Sequence, residues 1–292
     1  SFFHWELEFP EVFFDRQGRK LENPGFEVVV GNPPYDVISE KEQERRVEPD
    51  KFFFSSIPFY SPAMGSKINL YRLFIALSLN VLRERGIHGF IVPMALLADK
   101  QAKPLREFIL KKNRLKTIET FPQKDNPLDR IFLEAKLSTC VYAVEKSIST
   151  TFFLRVHPGK HILESSPTLN MEVNQIEVFD KENLSIPCYP NMTMMDFQLA
   201  LKLIEVCRDR VLRDFASSQQ GEVNLTSHSE LLSPEPKGQI VLRGAHVNRY
   251  DFIEKPKQGI PVYLDAQRFL ALHGKDTKAY DHLYVRIGYQ RG

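Results

Sequence analysis

The sequence is poor in cysteine and has no large excess of either charge. Its 292 residues include three cysteines, Cys140, Cys188 and Cys207, with no C-x-x-C spacing. This usage excludes a disulfide framework, gives no metal site and is typical of a reduced, cytoplasmic protein. Lys plus Arg number 39 against 37 Asp plus Glu, a net charge of +2, so any nucleic-acid binding must come from local patches.

Long apolar runs are also missing. No stretch reaches the roughly 20 apolar residues that a transmembrane helix needs, so we expect no membrane association. The first residues, SFFHWELEFP, lack the basic segment and the cleavage site of a signal peptide. The chain starts within an apolar segment and ends within a charged one, YVRIGYQRG, and we expect it to be a fragment of a longer protein.

Alternating strand and helix patterns fill the first half of the chain. The run FEVVVG is typical of a buried strand of a parallel sheet. A helix is predicted from Leu70, with Asn69 as its N-cap and Gly86 as its stop. Further strands are predicted at 88–93, 114–121 and 136–146, and a further helix at 102–113. This order predicts an α/β fold with a three-layer sheet.

Three regions follow from changes in this pattern. We predict an α/β catalytic region over 1–150, a connecting segment over 151–190, and an α+β region over 191–292 that begins a second domain. Within the first region, 39–62 is charged, then aromatic, and rich in Ser and Pro, and it is predicted to be a long mobile loop.

The chemistry is concentrated in Asn32-Pro33-Pro34-Tyr35, directly after the first predicted strand. In open parallel sheets, ligands bind beyond the carboxyl ends of strands. The prolines fix φ and remove two backbone donors. The turn therefore presents two acceptors, the Asn32 side-chain carbonyl and the Pro33 main-chain carbonyl, next to an aromatic ring. Two acceptors and a ring suit a planar group that carries an exocyclic amine.

The motif VVVGNPPY resembles motif IV of the gamma-type N6-adenine DNA methyltransferases, as found in type II and fused restriction–modification enzymes. The segments INLYRLFIALSLNVLRERGIHGFIVP, PLREFIL and RIFLEAKLSTCVY are similar to later motifs of that family, in order, up to about Lys146. The resemblance implies a partial Rossmann-like methyltransferase sheet followed by a target-recognition region. It also implies S-adenosylmethionine as methyl donor, double-stranded DNA as partner, no metal for the methyl step, and a nuclease domain or subunit in the same system.

The resemblance implies a base-flipping mechanism, in which the target base leaves the duplex and enters the site. Asn32 and Pro33 would accept hydrogen bonds from the target amine, and Tyr35 would stack on the base and stabilise developing charge by cation–π interaction. The family has a second aromatic residue before a Val/Leu-Ser pair. Counting back from Leu137-Ser138 selects Phe132, while Phe121 in TFPQK is the alternative.

The family's glycine-rich cofactor loop is not found, since no G-x-G-x-x-G occurs in the chain. We expect this loop upstream of residue 1, so that the fragment alone would not methylate. Two groups of residues are candidate DNA contacts. The segment 100–116 carries seven basic residues against one acidic residue and includes Lys103, Lys111 and Lys112. The second group follows a C-terminal strand and includes Arg243, Asn248 and Arg249.

Two other functions remain open from the sequence. The same tetrad occurs in enzymes that methylate RNA bases or glutamine side chains. The chain could also be a non-catalytic DNA-binding or specificity module with a methylase-like shell, because the cofactor loop is not found in it.

Overall fold

The structure, a computed structural model, describes residues 3–40, 46–207, 210, 214–216, 221–248, 251–253, 259–275 and 277–283. The chain divides into two compact units, 1–209 and 210–292. No helix in these described ranges has the length and the apolar character needed to cross a membrane.

The first unit is a mixed α/β structure. Its strands are β1 (Phe26–Gly31), β2 (Val37–Ile38), β3 (Ile68–Asn69), β4 (Leu82–Pro93), β5 (Arg114–Phe121), β6 (Thr139–Glu145), β7 (Thr151–Val156) and β8 (Thr168–Glu172). Its helices are α1 (Trp5–Glu8), α2 (Pro10–Phe13), α3 (Glu48–Ser56), α4 (Leu70–Val81), α5 (Ala95–Ala98), α6 (Lys103–Lys112), α7 (Val173–Phe179) and α8 (Met194–Val206), with 3-10 turns at Pro58–Ala63 and Lys100–Ala102.

Six strands form one mixed sheet in the order β1-β4-β6-β5-β7-β8. The pairs β1/β4 and β5/β7 are parallel, and β6 runs antiparallel to both of its neighbours. No helix lies between β5 and β6, so the chain returns beside β5 in the opposite direction. The C-terminal ends of β1, β4, β5 and β7 therefore share one edge, which we call the carboxyl edge.

The large core lies on one face of this sheet. It combines α4, α6, α7 and α8 with the side chains of alternate strand residues such as Val92, Ile118 and Leu154. On the opposite face, Val30, Val141 and Phe153 are exposed. The predicted three layers are therefore wrong for the described residues, which form two. The description of β1 as a buried strand is also wrong, because β1 lies at the sheet edge, where Phe26 and Val29 are partly buried and its other four residues are exposed.

Two local predictions in this unit were also wrong. Helix α4 begins after Asn69 as expected but ends at Val81, because Leu82 is already extended. Gly86 instead lies within β4, where a Cβ atom would come 2.8 Å from the Phe26 carbonyl oxygen of the neighbouring strand. The segment predicted as a loop over 39–62 contains α3 and a 3-10 turn. Its aromatic side chains pack together, with the Phe54 and Tyr60 rings 5.1 Å apart.

The region boundaries also differ from the prediction. The segment 151–190 supplies β7, β8 and α7 to the same sheet and core, and the compact units divide after residue 209. The second unit has a three-stranded sheet of β9 (Leu232–Ser233), β10 (Gln239–Ile240) and β13 (Tyr263–Leu264), a hairpin of β11 (Val247–Asn248) and β12 (Asp251–Phe252), and helix α9 (Ala266–Ala271). A small cluster around Leu231, Leu264 and Phe269 forms its core.

Candidate functional site

The Asn32–Tyr35 turn begins where β1 ends, at the carboxyl edge. On one side the turn is anchored by the parallel pairing of Gly31 with Phe90 of β4. On the other side β2 pairs with β3, and the Leu70 amide donates to the Asp36 carbonyl over 3.0 Å. The turn is therefore fixed at both ends by backbone hydrogen bonds to different elements.

The prolines separate an exposed face of the turn from a buried one. Pro33 is buried, whereas Asn32 and Pro34 are exposed. The Asn32 side chain makes no hydrogen bond to another residue in the described part of the chain. Its amide group is therefore available to a ligand. The following residue, Pro33, has a fixed φ and also restricts the backbone conformation of Asn32.

Tyr35 is partly buried, with its ring against the main core. Its hydroxyl donates to the Ile91 carbonyl over 3.1 Å. Burial, with a smaller effect of the nearby Cys140 thiol, raises the pKa of Tyr35 to about 12. The phenol therefore stays protonated at neutral pH, and its hydrogen bond holds the ring in place.

Phe132 lies beside Tyr35. The two ring centroids are 5.9 Å apart at an interplanar angle of 72°, an edge-to-face contact. Phe121 is only 3% exposed at the end of β5. It stacks on His157, with centroids 5.1 Å apart. The structure thus brings Phe132, and not Phe121, next to the Asn32–Tyr35 turn.

Two contacts that hold this site were missed from the sequence. One is the Ile91 carbonyl, a backbone group that no residue type announces. The other is Ser138, whose hydroxyl donates to the Pro122 carbonyl over 2.8 Å at the base of the loop that carries Phe132. Its only signal in the sequence is its place in the Leu137-Ser138 pair, the pair from which the position of Phe132 is counted.

Part of the positive charge of the basic segment 100–116 is paired with neighbouring carboxylates. Lys103 and Lys111 form ion pairs with Glu107 at 3.1 and 3.2 Å. Lys111 also pairs with Glu177 at 2.7 Å. These lysines hold the pKa of Glu107 below its ordinary value. Helix α6 leads into the start of β5. Lys111 and Lys112 therefore lie toward the N-terminal end of β5, away from the carboxyl edge where Asn32 lies.

Another member of this segment, Arg106, is a core residue. The residue is only 2% exposed. It donates to the carbonyls of Leu96 and Leu184 at 2.7 and 2.9 Å. Arg106 therefore cannot contribute to a phosphate-binding surface. The surface of 100–116 carries less excess positive charge than the seven basic residues of its sequence suggest.

The C-terminal candidates are only partly described. The Arg243 guanidinium donates to the Ile260 carbonyl over 2.6 Å within the second unit. Asn248 lies in the β11–β12 hairpin, but its side chain is outside the description. Arg249 lies outside the described residues. The structure therefore assigns Arg243 a structural contact and does not locate the other two side chains.

Neither a metal-binding group of side chains nor a glycine-rich cofactor loop accompanies the Asn32–Tyr35 turn in the described residues. Within the described ranges there is no group of three or more His, Cys, Asp or Glu side chains that could hold a metal ion. The turn after β1 is the proline-rich tetrad, and the chain has no G-x-G-x-x-G that could cradle S-adenosylmethionine.

Comparison with known proteins matches residues 1–127 to the family model described as "Eco57I restriction-modification methylase". The type II restriction enzyme and methyltransferase RM.Eco57I of Escherichia coli is 27% identical over 132 residues, covering 45% of this chain and 12% of the relative. The type II methyltransferase M.TthHB8I of Thermus thermophilus is 31% identical over 110 residues, covering 35% of this chain and 25% of the relative.

Among solved structures, a modification subunit of a putative type I restriction enzyme from Vibrio vulnificus aligns with a TM-score of 0.41 at 12% identity, covering 59% of this chain and 39% of that one. The chain spans a quarter or less of the length of the two curated relatives. The comparisons thus show a restriction-modification methylase match over the N-terminal 127 residues, with type II methyltransferases as relatives at low identity.

Proposed function

We propose that this chain carries the target-base half of a DNA methyltransferase site, in which a flipped adenine is methylated at N6 within a restriction–modification system. S-adenosylmethionine is the proposed donor and double-stranded DNA the proposed substrate. The restriction-modification methylase match supports the class. The observation that carries the adenine assignment is the exposed Asn32 amide next to the Tyr35–Phe132 ring pair.

The proposed role of Asn32 and Pro33 is to accept hydrogen bonds from the two N–H groups of the adenine amine. The Asn32 side-chain carbonyl and the Pro33 main-chain carbonyl are adjacent acceptors on a backbone that proline restricts. Both dipoles point at the nitrogen on which positive charge grows during the reaction. Acceptors that are already oriented need no reorganisation at that moment, and this is the main source of electrostatic stabilisation in such sites.

Tyr35 is proposed to hold the base by its ring and not to exchange protons. Its raised pKa, about 12, keeps the phenol neutral at the pH of the cell. The ring face is the negative side of the aromatic quadrupole and attracts a group that becomes cationic. The hydrogen bond to Ile91 fixes the ring orientation, so that the stacking surface is ready before the base arrives.

Phe132 is proposed to cover the other side of the base. A planar base between two stacked rings requires them to be parallel and about 7 Å apart, twice a normal contact distance. The present arrangement is edge-to-face at 5.9 Å. We therefore expect Phe132 to turn and withdraw slightly when the base enters, while Tyr35 stays in place.

The chain has no G-x-G-x-x-G to cradle the methyl donor. The proposal limits this chain to holding the base and stabilising its amine. The second unit, 210–292, overlaps the predicted target-recognition region, and DNA reading by Arg243, Asn248 or Arg249 remains a prediction, as does a nuclease domain or subunit in the same system.

The test is the identity of the methylated nucleoside. The full-length protein that contains this chain is incubated with unmodified phage DNA and S-adenosylmethionine, and the DNA is digested and examined by mass spectrometry. We expect N6-methyladenine. Asn32→Ala should abolish it while leaving DNA affinity within about fivefold, because one neutral hydrogen bond contributes only ~1 kcal/mol to binding.

A matched control is Asn170→Ala, which changes an exposed asparagine of β8 away from the turn. It should methylate at the wild-type rate. A methylated cytosine as product would refute the adenine assignment. Equal losses of binding and turnover in Asn32→Ala would instead support the alternative of a binding module.

A further inference from the structure

The loop that carries Phe132 is closed at its base by one side chain. Residues 122–138 connect β5 to β6, and the last registered pair of these strands is Phe121 with Thr139. Immediately beyond it, the Ser138 hydroxyl donates to the Pro122 carbonyl over 2.8 Å, across 16 residues of chain. The Met94 amide donates to the Ser138 carbonyl over 2.9 Å, which ties the same point to the end of β4.

The residue type at position 122 explains why a side chain is needed there. Pro122 has no N–H, so it cannot donate the backbone hydrogen bond that would continue the β5–β6 ladder. The Ser138 hydroxyl binds the Pro122 carbonyl instead. Without that hydroxyl, the base of the loop would be held by the pairing of Phe121 with Thr139 and, further along the loop, by the exposed ion pair of Lys136 with Asp125.

The other described polar contacts of the loop are mainly local. Gln123 accepts from the amides of Asp125 and Asn126 at 2.8 and 3.2 Å. The Lys136–Asp125 ion pair, 2.9 Å long, joins two exposed side chains and contributes little in water. The position of Phe132 relative to Tyr35 therefore depends on how firmly the base of the loop is held.

We propose that Ser138 is a positioning residue that fixes the base of the 122–138 loop and thereby sets Phe132 against the target base. The proposal rests on the proposed function for its effect on methylation. Ser138 does not touch the substrate. It acts through Phe132, whose ring lies 5.9 Å from Tyr35 at the tip of the loop that Ser138 closes.

The first measurement is independent of methylation. Hydrogen exchange of the full-length protein, followed by mass spectrometry, reports on the amides of 122–137. Ser138→Ala should accelerate their exchange by about fivefold, since one hydrogen bond of ~1 kcal/mol protects the closed loop. Ser138→Thr should restore protection. Unchanged exchange in Ser138→Ala would overturn the proposal, whatever the protein methylates.

The second measurement is a double-mutant cycle on phage DNA. Ser138→Ala should lower kcat/KM by about fivefold to tenfold, mainly through KM. If Ser138 acts through Phe132, the double variant Ser138→Ala/Phe132→Ala should be no slower than Phe132→Ala alone. Additive losses in an active enzyme would refute the coupling and leave the proposed function intact.

Two further variants separate positioning from general stability. Ser147→Ala removes a serine hydroxyl that donates to Glu145 over 2.9 Å at the other end of β6, and it should change neither measurement. If Ser138→Ala does not fold, Ser138→Cys keeps the side-chain size with a much weaker donor and carries the same predictions. A global loss of protection in Ser138→Cys would show a structural role only and would overturn the proposal.

Discussion

Tyr35 combines two contacts that the letters of its motif do not reveal. Its ring meets Phe132 from a segment almost a hundred residues later, and its hydroxyl is held by the Ile91 carbonyl of the neighbouring strand. The first contact suits base stacking and the second fixes the ring. The tyrosine is therefore better described as an oriented aromatic surface than as a proton donor.

This separation of ring and hydroxyl can be tested by two substitutions. Tyr35→Phe keeps the ring and should lower kcat/KM on DNA by no more than about fivefold, for the loss of one hydrogen bond. Tyr35→Ala removes the stacking surface and should lower kcat/KM by roughly 5- to 150-fold, the range for one base–aromatic stack. The measurement is incorporation of labelled methyl groups into DNA at subsaturating DNA concentration. Equal rates for the two variants would contradict the stacking role.

Helix α6 shows how an element can be correctly predicted and its surface wrongly interpreted. The helix occupies 103–112, close to the predicted 102–113, with Pro104 in its first turn. Its basic residues were expected to face solvent. Arg106 instead joins α6 to the segments around Leu96 and Leu184 through buried carbonyl contacts.

Arg106 should therefore matter for folding and not for DNA affinity. Arg106→Met leaves several carbonyls without their donor and should lower the free energy of unfolding by about 2–4 kcal/mol. Lys103→Met in the same helix breaks only a partly exposed ion pair with Glu107 and should cost less than about 1 kcal/mol. Urea unfolding followed by circular dichroism measures both. A loss for Arg106→Met no greater than that for Lys103→Met would contradict the core role.

The first unit as a whole is built on a core with several buried phenols. Tyr71 is only 4% exposed, and burial raises its pKa to about 12. Tyr35 shares that value for the same main reason. An unfolded tyrosine ionises near pH 10, so above that pH the unfolded state loses protons that the folded state keeps.

The stability of the protein should consequently be unaffected by these groups below pH 10 and should fall between pH 10 and 12. Tyr71→Phe should flatten the decline by up to about 1.4 kcal/mol per pH unit, the limit for one proton. The measurement is the free energy of unfolding by urea at a series of pH values. Tyr189→Phe, at a half-exposed ring, is the matched control, and equal slopes for Tyr71→Phe and wild type would count against the assignment.

Local patterns in the chain were sufficient for the existence of strands β1, β4, β5 and β6 and of helices α4 and α6, but not for the shorter elements before residue 146. Strand β1, helix α6 and strand β5 lie at or close to their predicted positions, because periodicity, proline and glycine act within a few residues. The Asn32–Tyr35 turn was likewise recognisable, since a rigid acceptor turn after a strand is encoded by adjacent residue types.

Other features depended on contacts between distant segments. The placement of β6 between β4 and β5, the addition of 151–172 to the sheet and the burial of Arg106 are decided by pairing and packing partners far away in the chain. The same holds for the meeting of Tyr35 with Phe132. The four residues of the tetrad specify a turn, but only the folded sheet, which brings the ends of β1 and β5 to one edge, places it beside Phe132 as half of the proposed binding site.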